Sequence, residues 1–225
     1  MEHLPIYISL VFGLIVLLTL AIFYRSSNNS KPFLLISLFW IIVQSILSLK
    51  GFYTISNTRP PRLLLLIAPP ILFIAATFIS KRGKEFIDRL DIKTLTILHT
   101  IRIPVELVLF WLAENKVIPT LMTFEGWNFD ILSGLSAPII YYFGFKRKNL
   151  SPLIILIWNV ICLGLLLNIV FIALESAPTY FQRFAFEQPN IAIGYFPFVF
   201  LPSFIVPIVL FSHIVSIKQL LQKNN

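Results

Sequence analysis

Charge is what this sequence has least of. Of its 225 residues only 12% are Asp, Glu, Lys or Arg, whereas 57% are hydrophobic, and the mean hydropathy is +0.86. A soluble domain usually carries about 25% charged residues. The shortage therefore excludes an ordinary water-soluble domain and points to a chain that is solvated largely by lipid.

Cysteine is almost as scarce. The single Cys162, inside an apolar run, excludes an intramolecular disulfide and a cysteine-based metal cage. We interpret it as a small apolar packing residue. We expect no cofactor and no metal site, and we expect no nucleic-acid partner, because the basic residues flank apolar runs and form no separate domain.

The apolar residues are gathered in blocks of roughly the length that a helix needs to cross a ~30 Å hydrocarbon core. The strand-length alternation that a membrane barrel requires is absent from the sequence. We therefore predict an all-α, polytopic transmembrane bundle that forms a single domain over residues 1–225. Its seven predicted spans are 5–24, 32–49, 63–80, 94–113, 130–145, 151–174 and 195–217.

The basic residues of the loops predict the orientation. With the N-terminus outside and the C-terminus in the cytoplasm, twelve Lys and Arg residues fall in cytoplasmic loops and five in outer loops, as the positive-inside rule requires. The short predicted span 130–145 is needed for this bias, because without it the counts become eight and nine. We expect a multi-pass protein of the cell membrane, in a bacterium the cytoplasmic membrane, with the lipid bilayer as its surroundings.

Three ionisable residues share one face of the fourth predicted span. His99, Arg102 and Glu106 fall within an arc of about 60° on an ideal helix. Ionisable side chains at this depth face the bundle interior and are functional by default. Arg102 and Glu106 are spaced to pair with each other, and Pro104 between them removes a helical N–H and can bend the helix. The face predicts a site for a small polar or amphiphilic ligand; the alternative is an ion pair that only locks helix packing.

His213 is the other histidine within a predicted span. It stands near the cytoplasmic end of the seventh span, and we interpret it as an interfacial residue near the headgroups. A haem or metal held between His99 and His213 is the alternative, although the sequence shows no acidic ligand cluster beside them.

The connection that leads into the fifth span also carries acidic residues. Glu125 and Asp130 lie beside a short span interrupted by small residues and Pro138, and such spans point to transporter binding sites. We include both in the predicted substrate-binding set with His99, Arg102 and Glu106. The alternative is an outer loop in which Asp130 caps a helix.

Two main classes of function fit these residues. The first is a small permease or channel-like protein with an intramembrane polar site on the fourth span. The second is an intramembrane enzyme for a lipid or isoprenoid, with Glu106 or His99 as acid or base. A non-catalytic subunit of a larger complex is a third possibility, and the sequence names no oligomeric state. The spread of polar residues along the fourth span favours a path, and hence the permease.

Overall fold

The fold is given by a computed structural model, which describes residues 3–55 and 58–223. Within these residues every regular element is helical and no strand occurs. The nine α-helices are α1 (Ile6–Ser26), α2 (Lys31–Leu49), α3 (Leu64–Ile79), α4 (Lys81–Asp88), α5 (Ile92–Leu98), α6 (Arg102–Glu114), α7 (Ile131–Ile140), α8 (Pro152–Glu175) and α9 (Val206–Lys223). The predicted all-α class is confirmed.

Five helical stretches are long and apolar enough to cross a membrane. They are Ile6–Ser26, Lys31–Leu49, Ile92–Glu114, Pro152–Glu175 and Leu201–Gln222, and they match five of the predicted spans to within a few residues at most ends. α3 and α4 together supply a sixth candidate, bent by 90°. The predicted fifth span holds α7, which continues as a π-helix over Tyr141–Lys146. The count of seven crossings stays a prediction.

The start of the seventh predicted span is wrong by about one and a half turns. Helical structure begins at Leu201, not at residue 195, and it continues to Lys223. The aromatic run before Leu201 is apolar enough to resemble a span, but Pro197 lies inside it and cannot donate a helical hydrogen bond. The run forms turns that pack on the bundle instead, and Phe198 is buried.

Polar caps explain several of the helix ends. Ser30 and Ser151 accept the backbone N–H groups of Phe33 and Ile154, and Asp91 accepts two N–H groups at the start of α5. Such partners matter more in lipid than in water, because no solvent is available for an unpaired backbone group. Ser80 caps α4 at the 90° bend.

α5, α6 and α9 form the centre of the bundle. In the α5–α6 stretch and in the stretch that contains α9, 61% of the membrane window is buried, against 17% for α2. α1 packs against α5 and α6, and α9 packs against α8 and α5. The helices that carry His99, Arg102, Glu106 and His213 are therefore the most enclosed helices of the fold.

One contact fixes the peripheral helix α2 to the last helix. Pro207 removes the N–H that the carbonyl of Ser203 would accept from in an α-helix. Trp40 Nε1 donates to that carbonyl at 2.9 Å. The proline and its substitute donor lie on different helices, so α2 satisfies a backbone group that α9 cannot satisfy by itself.

Candidate functional site

The central helix changes its winding at the predicted site. α5 passes through a 3-10 turn at His99–Ile101 before α6 begins at Arg102. Pro104 lies just beyond, and its missing N–H accounts for the interruption where the sequence predicts a bend. The turn sets His99 toward α9 and Arg102 toward the start of α7, as their contacts show.

Arg102 forms its ion pair with Asp130 and not with Glu106. Its Nη1 lies 3.1 Å from Asp130 Oδ1, and the two side chains are only 3% and 7% exposed. Nη1 also donates to the carbonyl of Cys162 at 3.4 Å. The pairing of Arg102 with Glu106 predicted from their spacing is therefore wrong, because a carboxylate brought in by α7 occupies that role.

Asp130 stands at the N-cap position of α7 but makes no capping hydrogen bond with its side chain. The interpretation of Asp130 as a helix cap is thus corrected: its carboxylate is directed at Arg102. Its backbone N–H is held by Asn128 Oδ1 at 3.0 Å. The loop before α7 therefore fixes the Asp130 backbone and leaves the side chain free to pair.

Glu106 is held by the same loop. Asn128 Nδ2 lies 2.7 Å from both carboxylate oxygens of Glu106 and donates also to the carbonyl of Met122 at 3.0 Å. Glu106 is 1% exposed and Asn128 is fully buried. The sequence places Asn128 beside the acidic residues but gives no sign that its amide reaches a carboxylate on another helix.

Gly134 permits α7 to approach this site closely. A Cβ built on Gly134 would lie 2.8 Å from Ile103 Cγ1 and 3.3 Å from Arg102 Cβ. Any side chain here would push α7 away from the residue with which Asp130 is paired. Small residues at helix contacts have this function in membrane bundles, since they let backbones come together.

His99 and His213 stack face to face. Their ring centroids are 3.8 Å apart with an angle of 14° between the planes, and both residues are fully buried. The Trp158 ring meets His99 edge-on at 5.7 Å. α9 therefore turns the His213 ring into the bundle, and the predicted depth of His213 near the headgroups stays a prediction.

The stacked rings do not fit a shared metal ion. A nitrogen ligand lies about 2 Å from zinc, near the plane of its own ring, and an ion so placed for one ring lies far from the plane of the other. Across the residues that the structure covers, no group of three or more His, Cys, Asp or Glu is arranged to hold a metal.

Several buried polar atoms of the site have no hydrogen-bond partner among the described residues. They are both ring nitrogens of His99, Nε2 of His213, Nε and Nη2 of Arg102, the hydroxyl oxygens of Thr100, Ser133 and Ser216, and Oδ1 of Asp130, which has its ion-pair contact with Arg102 but no hydrogen bond. Of the four ring nitrogens of His99 and His213, only Nδ1 of His213 has a partner, Asn159 Oδ1 at 3.0 Å. Such atoms are rare in folded proteins, and each calls for water, a ligand or a functional role.

The predicted substrate-binding residues thus separate into three positions. Arg102, Glu106 and Asp130 come together through Asn128. His99 belongs to the stack with His213 on the neighbouring turn, and Glu125 is exposed. We call the first set, with Asn128, the charged half and the two histidines the histidine half; together they form the buried column.

One crevice of the structure lies away from the buried column. It has a volume of about 210 Å³ and a mainly apolar lining from α3, the end of α8 and the loop after it, with Leu66, Glu175 and Phe181 among the residues. None of the residues of the buried column lines it.

Comparison with known proteins places this chain in a family. The family model described as Domain of unknown function (DUF8737) matches residues 60–221. The matched part covers most of the chain and includes the whole buried column, so the chain belongs to this family. No curated protein and no solved structure matches it.

Proposed function

We propose that this protein is a small permease or channel-like membrane protein whose path is the buried column. The observation that carries the proposal is the set of unpartnered polar atoms on His99, Arg102 and His213, three buried residues of the column. Burial of a polar group without a partner is costly, so a protein that only needed tight packing would gain by replacing these side chains with apolar ones.

The distribution of the column favours a path over an enzyme site. Glu106 and His99 lie seven residues apart on the central helix, which corresponds to about 10 Å along its axis. An enzyme for a lipid or isoprenoid needs its acid and base at one depth beside a lipid-accessible cleft. The crevice of about 210 Å³ does not reach Glu106 or His99, so it provides no lipid-accessible cleft at either residue.

The proposal includes seven crossings, an outside N-terminus and a cytoplasmic C-terminus, in a cell membrane that in a bacterium is the cytoplasmic one. The bias of basic residues supports it. Cysteines introduced singly at Asn28 and Thr120, both exposed, in a variant without Cys162 would be labelled from opposite sides in this arrangement. Labelling of both from the same side would refute it.

A flux measurement tests the function itself. The purified protein in liposomes is compared with empty liposomes, with light scattering to follow glycerol and urea and a potential-sensitive dye to follow small ions. We expect accelerated flux of at least one solute, lost in Arg102→Gln. Glu187→Gln is the matched control, since this carboxylate is exposed and lies outside the predicted site, and it should retain the flux. Absence of any flux above empty liposomes would refute the proposal.

A further inference from the structure

The buried column contains an unbalanced charge. Among the described residues that are buried, the fixed charges are the cation Arg102 and the carboxylates of Glu106 and Asp130. With both carboxylates ionised these groups sum to one negative charge. An uncompensated charge inside a membrane bundle is strongly unfavourable, so the column has reason to hold one additional proton.

Two places in the column can take that proton. Glu106 is one, although Asn128 donating to both of its oxygens suits the ionised carboxylate. The stacked pair of His99 and His213 is the other, since three of its four ring nitrogens have no partner. Two protons on the pair would place like charges at stacking distance, so one is the limit.

The charged and titratable groups that face the histidine pair are few. The positive charge of Arg102 is close enough to interact electrostatically with both histidine rings. Asp130 and Glu106 lie beyond it, and Cys162 on α8 lies beside Arg102. Asn159 on α8 contributes a neutral amide to His213. Asp130 is therefore the carboxylate that neutralises Arg102, and Glu106 is the one left without a cation of its own.

We infer that the buried column holds one exchangeable proton, shared between Glu106 at one end and the stacked pair of His99 and His213 at the other. Transfer breaks an imidazolium N–H bond and forms a carboxyl O–H bond, and the total charge of the column stays at zero. The buried hydroxyl of Thr100, which directly follows His99 in the chain, has no partner and can relay the proton. The proton would be the ion that moves, or one that moves with a solute; this role rests on the proposed function.

The charge balance predicts that the proton can be lost by changing a residue that does not itself carry it. Asp130→Asn leaves Arg102 and Glu106 as the fixed charges, so the column is neutral without the extra proton. The variant should lose that proton although Glu106 and both histidines are intact. Glu106→Gln should likewise leave both histidines neutral, and it serves as the second variant if Asp130→Asn does not fold.

Spectroscopy of the full chain in lipid tests the inference without any transport assay. Infrared spectra report a protonated carboxyl group, and nitrogen NMR of labelled histidine reports an imidazolium. At neutral pH the wild type should show one proton in total at Glu106 and the histidine pair, and both variants should show its complete loss. Glu187→Gln, which changes an exposed carboxylate outside the predicted site, should keep it.

The outcomes separate the two proposals. A wild type with neither a protonated carboxyl nor an imidazolium in the column would overturn the inference, and so would a folded Asp130→Asn variant that retains the proton. Flux of protons, followed with a pH-sensitive dye in liposomes under a potassium diffusion potential, should fall to the level of empty liposomes in both variants. If the proton is found and lost as expected but nothing crosses the membrane, the proposed function fails and the proton site stands.

Discussion

The two halves of the buried column solve the problem of polar groups inside lipid in different ways. In the charged half, Arg102 is paired with Asp130, and Asn128 donates to Glu106. In the histidine half, the rings of His99 and His213 satisfy each other only by stacking, and most of their nitrogens have no partner. The comparison teaches that burial alone does not identify a structural clamp: an ion pair and hydrogen bonds join the charged half to α7 and its preceding loop, whereas three of the four ring nitrogens of the histidine half have no partner.

The largest effect is expected where the charged half is broken. Arg102→Ala leaves two buried carboxylates without a cation and should lower the free energy of unfolding by about 3–5 kcal/mol. Thermal unfolding in detergent measures this. The double variant with Asp130→Ala should lose less than the sum of the two single variants, and strictly additive losses would show that the ion pair does not contribute.

Removal of the loop donor should have the next largest effect. Asn128→Ala takes away the hydrogen bonds to Glu106 and the one that holds the Asp130 backbone. Leaving a buried acceptor unsatisfied costs about 1–3 kcal/mol, and more when it is charged. The same detergent assay measures it, with Asn168→Ala as the control, since that amide is exposed and donates only to the carbonyl of Trp127. Equal losses of stability in the two variants would show that the hydrogen bonds of Asn128 to the charged half do not stabilise the fold.

The contact between α7 and Arg102 can be tested by volume alone. Gly134→Ala introduces a Cβ at 2.8 Å from Ile103, and overpacking of this kind costs about 1–3 kcal/mol. Gly164→Ala is the matched control, because nothing lies within 4 Å of a Cβ there. A Gly134→Ala variant with the stability and the liposome flux of the wild type would show that neither depends on the close approach of α7 to Arg102.

The smallest effect on stability is expected in the histidine half. His99→Phe retains an aromatic ring against His213 and removes two buried nitrogens without partners, so the free energy of unfolding should change by less than about 1 kcal/mol or rise. Flux through the column should nevertheless be lost. A destabilisation as large as that of Arg102→Ala would remove the distinction between the two halves.

Sequence periodicity predicts part of this arrangement and misses the rest for a physical reason. The apolar lengths predict the spans, and the helical repeat correctly sends His99, Arg102 and Glu106 into the interior. Periodicity describes one helix at a time, however, and does not show which helices touch. Periodicity therefore predicts a pair between Arg102 and Glu106, although Asp130 is nearer in space. It also gives no indication that His213 on α9 contacts His99.

The first residue of the last helix illustrates the same limit at a smaller scale. Aromatic and apolar residues before Leu201 have the hydropathy of a span, but hydropathy measures transfer into an apolar environment and not helix formation. The packed turns around Phe198 provide that environment without a helix. The position of a proline inside the run, Pro197, is the signal that could have identified the true start.

The bond from Trp40 to the carbonyl of Ser203 has a consequence for biosynthesis. Its donor and acceptor are 163 residues apart, so α2 emerges from the ribosome long before its partner exists. Until the two helices pack together, the carbonyl of Ser203 lacks this donor, and an unpaired backbone group is costly in a membrane. Loss of α2 should therefore leave an acceptor of the last helical stretch unsatisfied, and it should weaken this helix by more than the loss of apolar contacts alone.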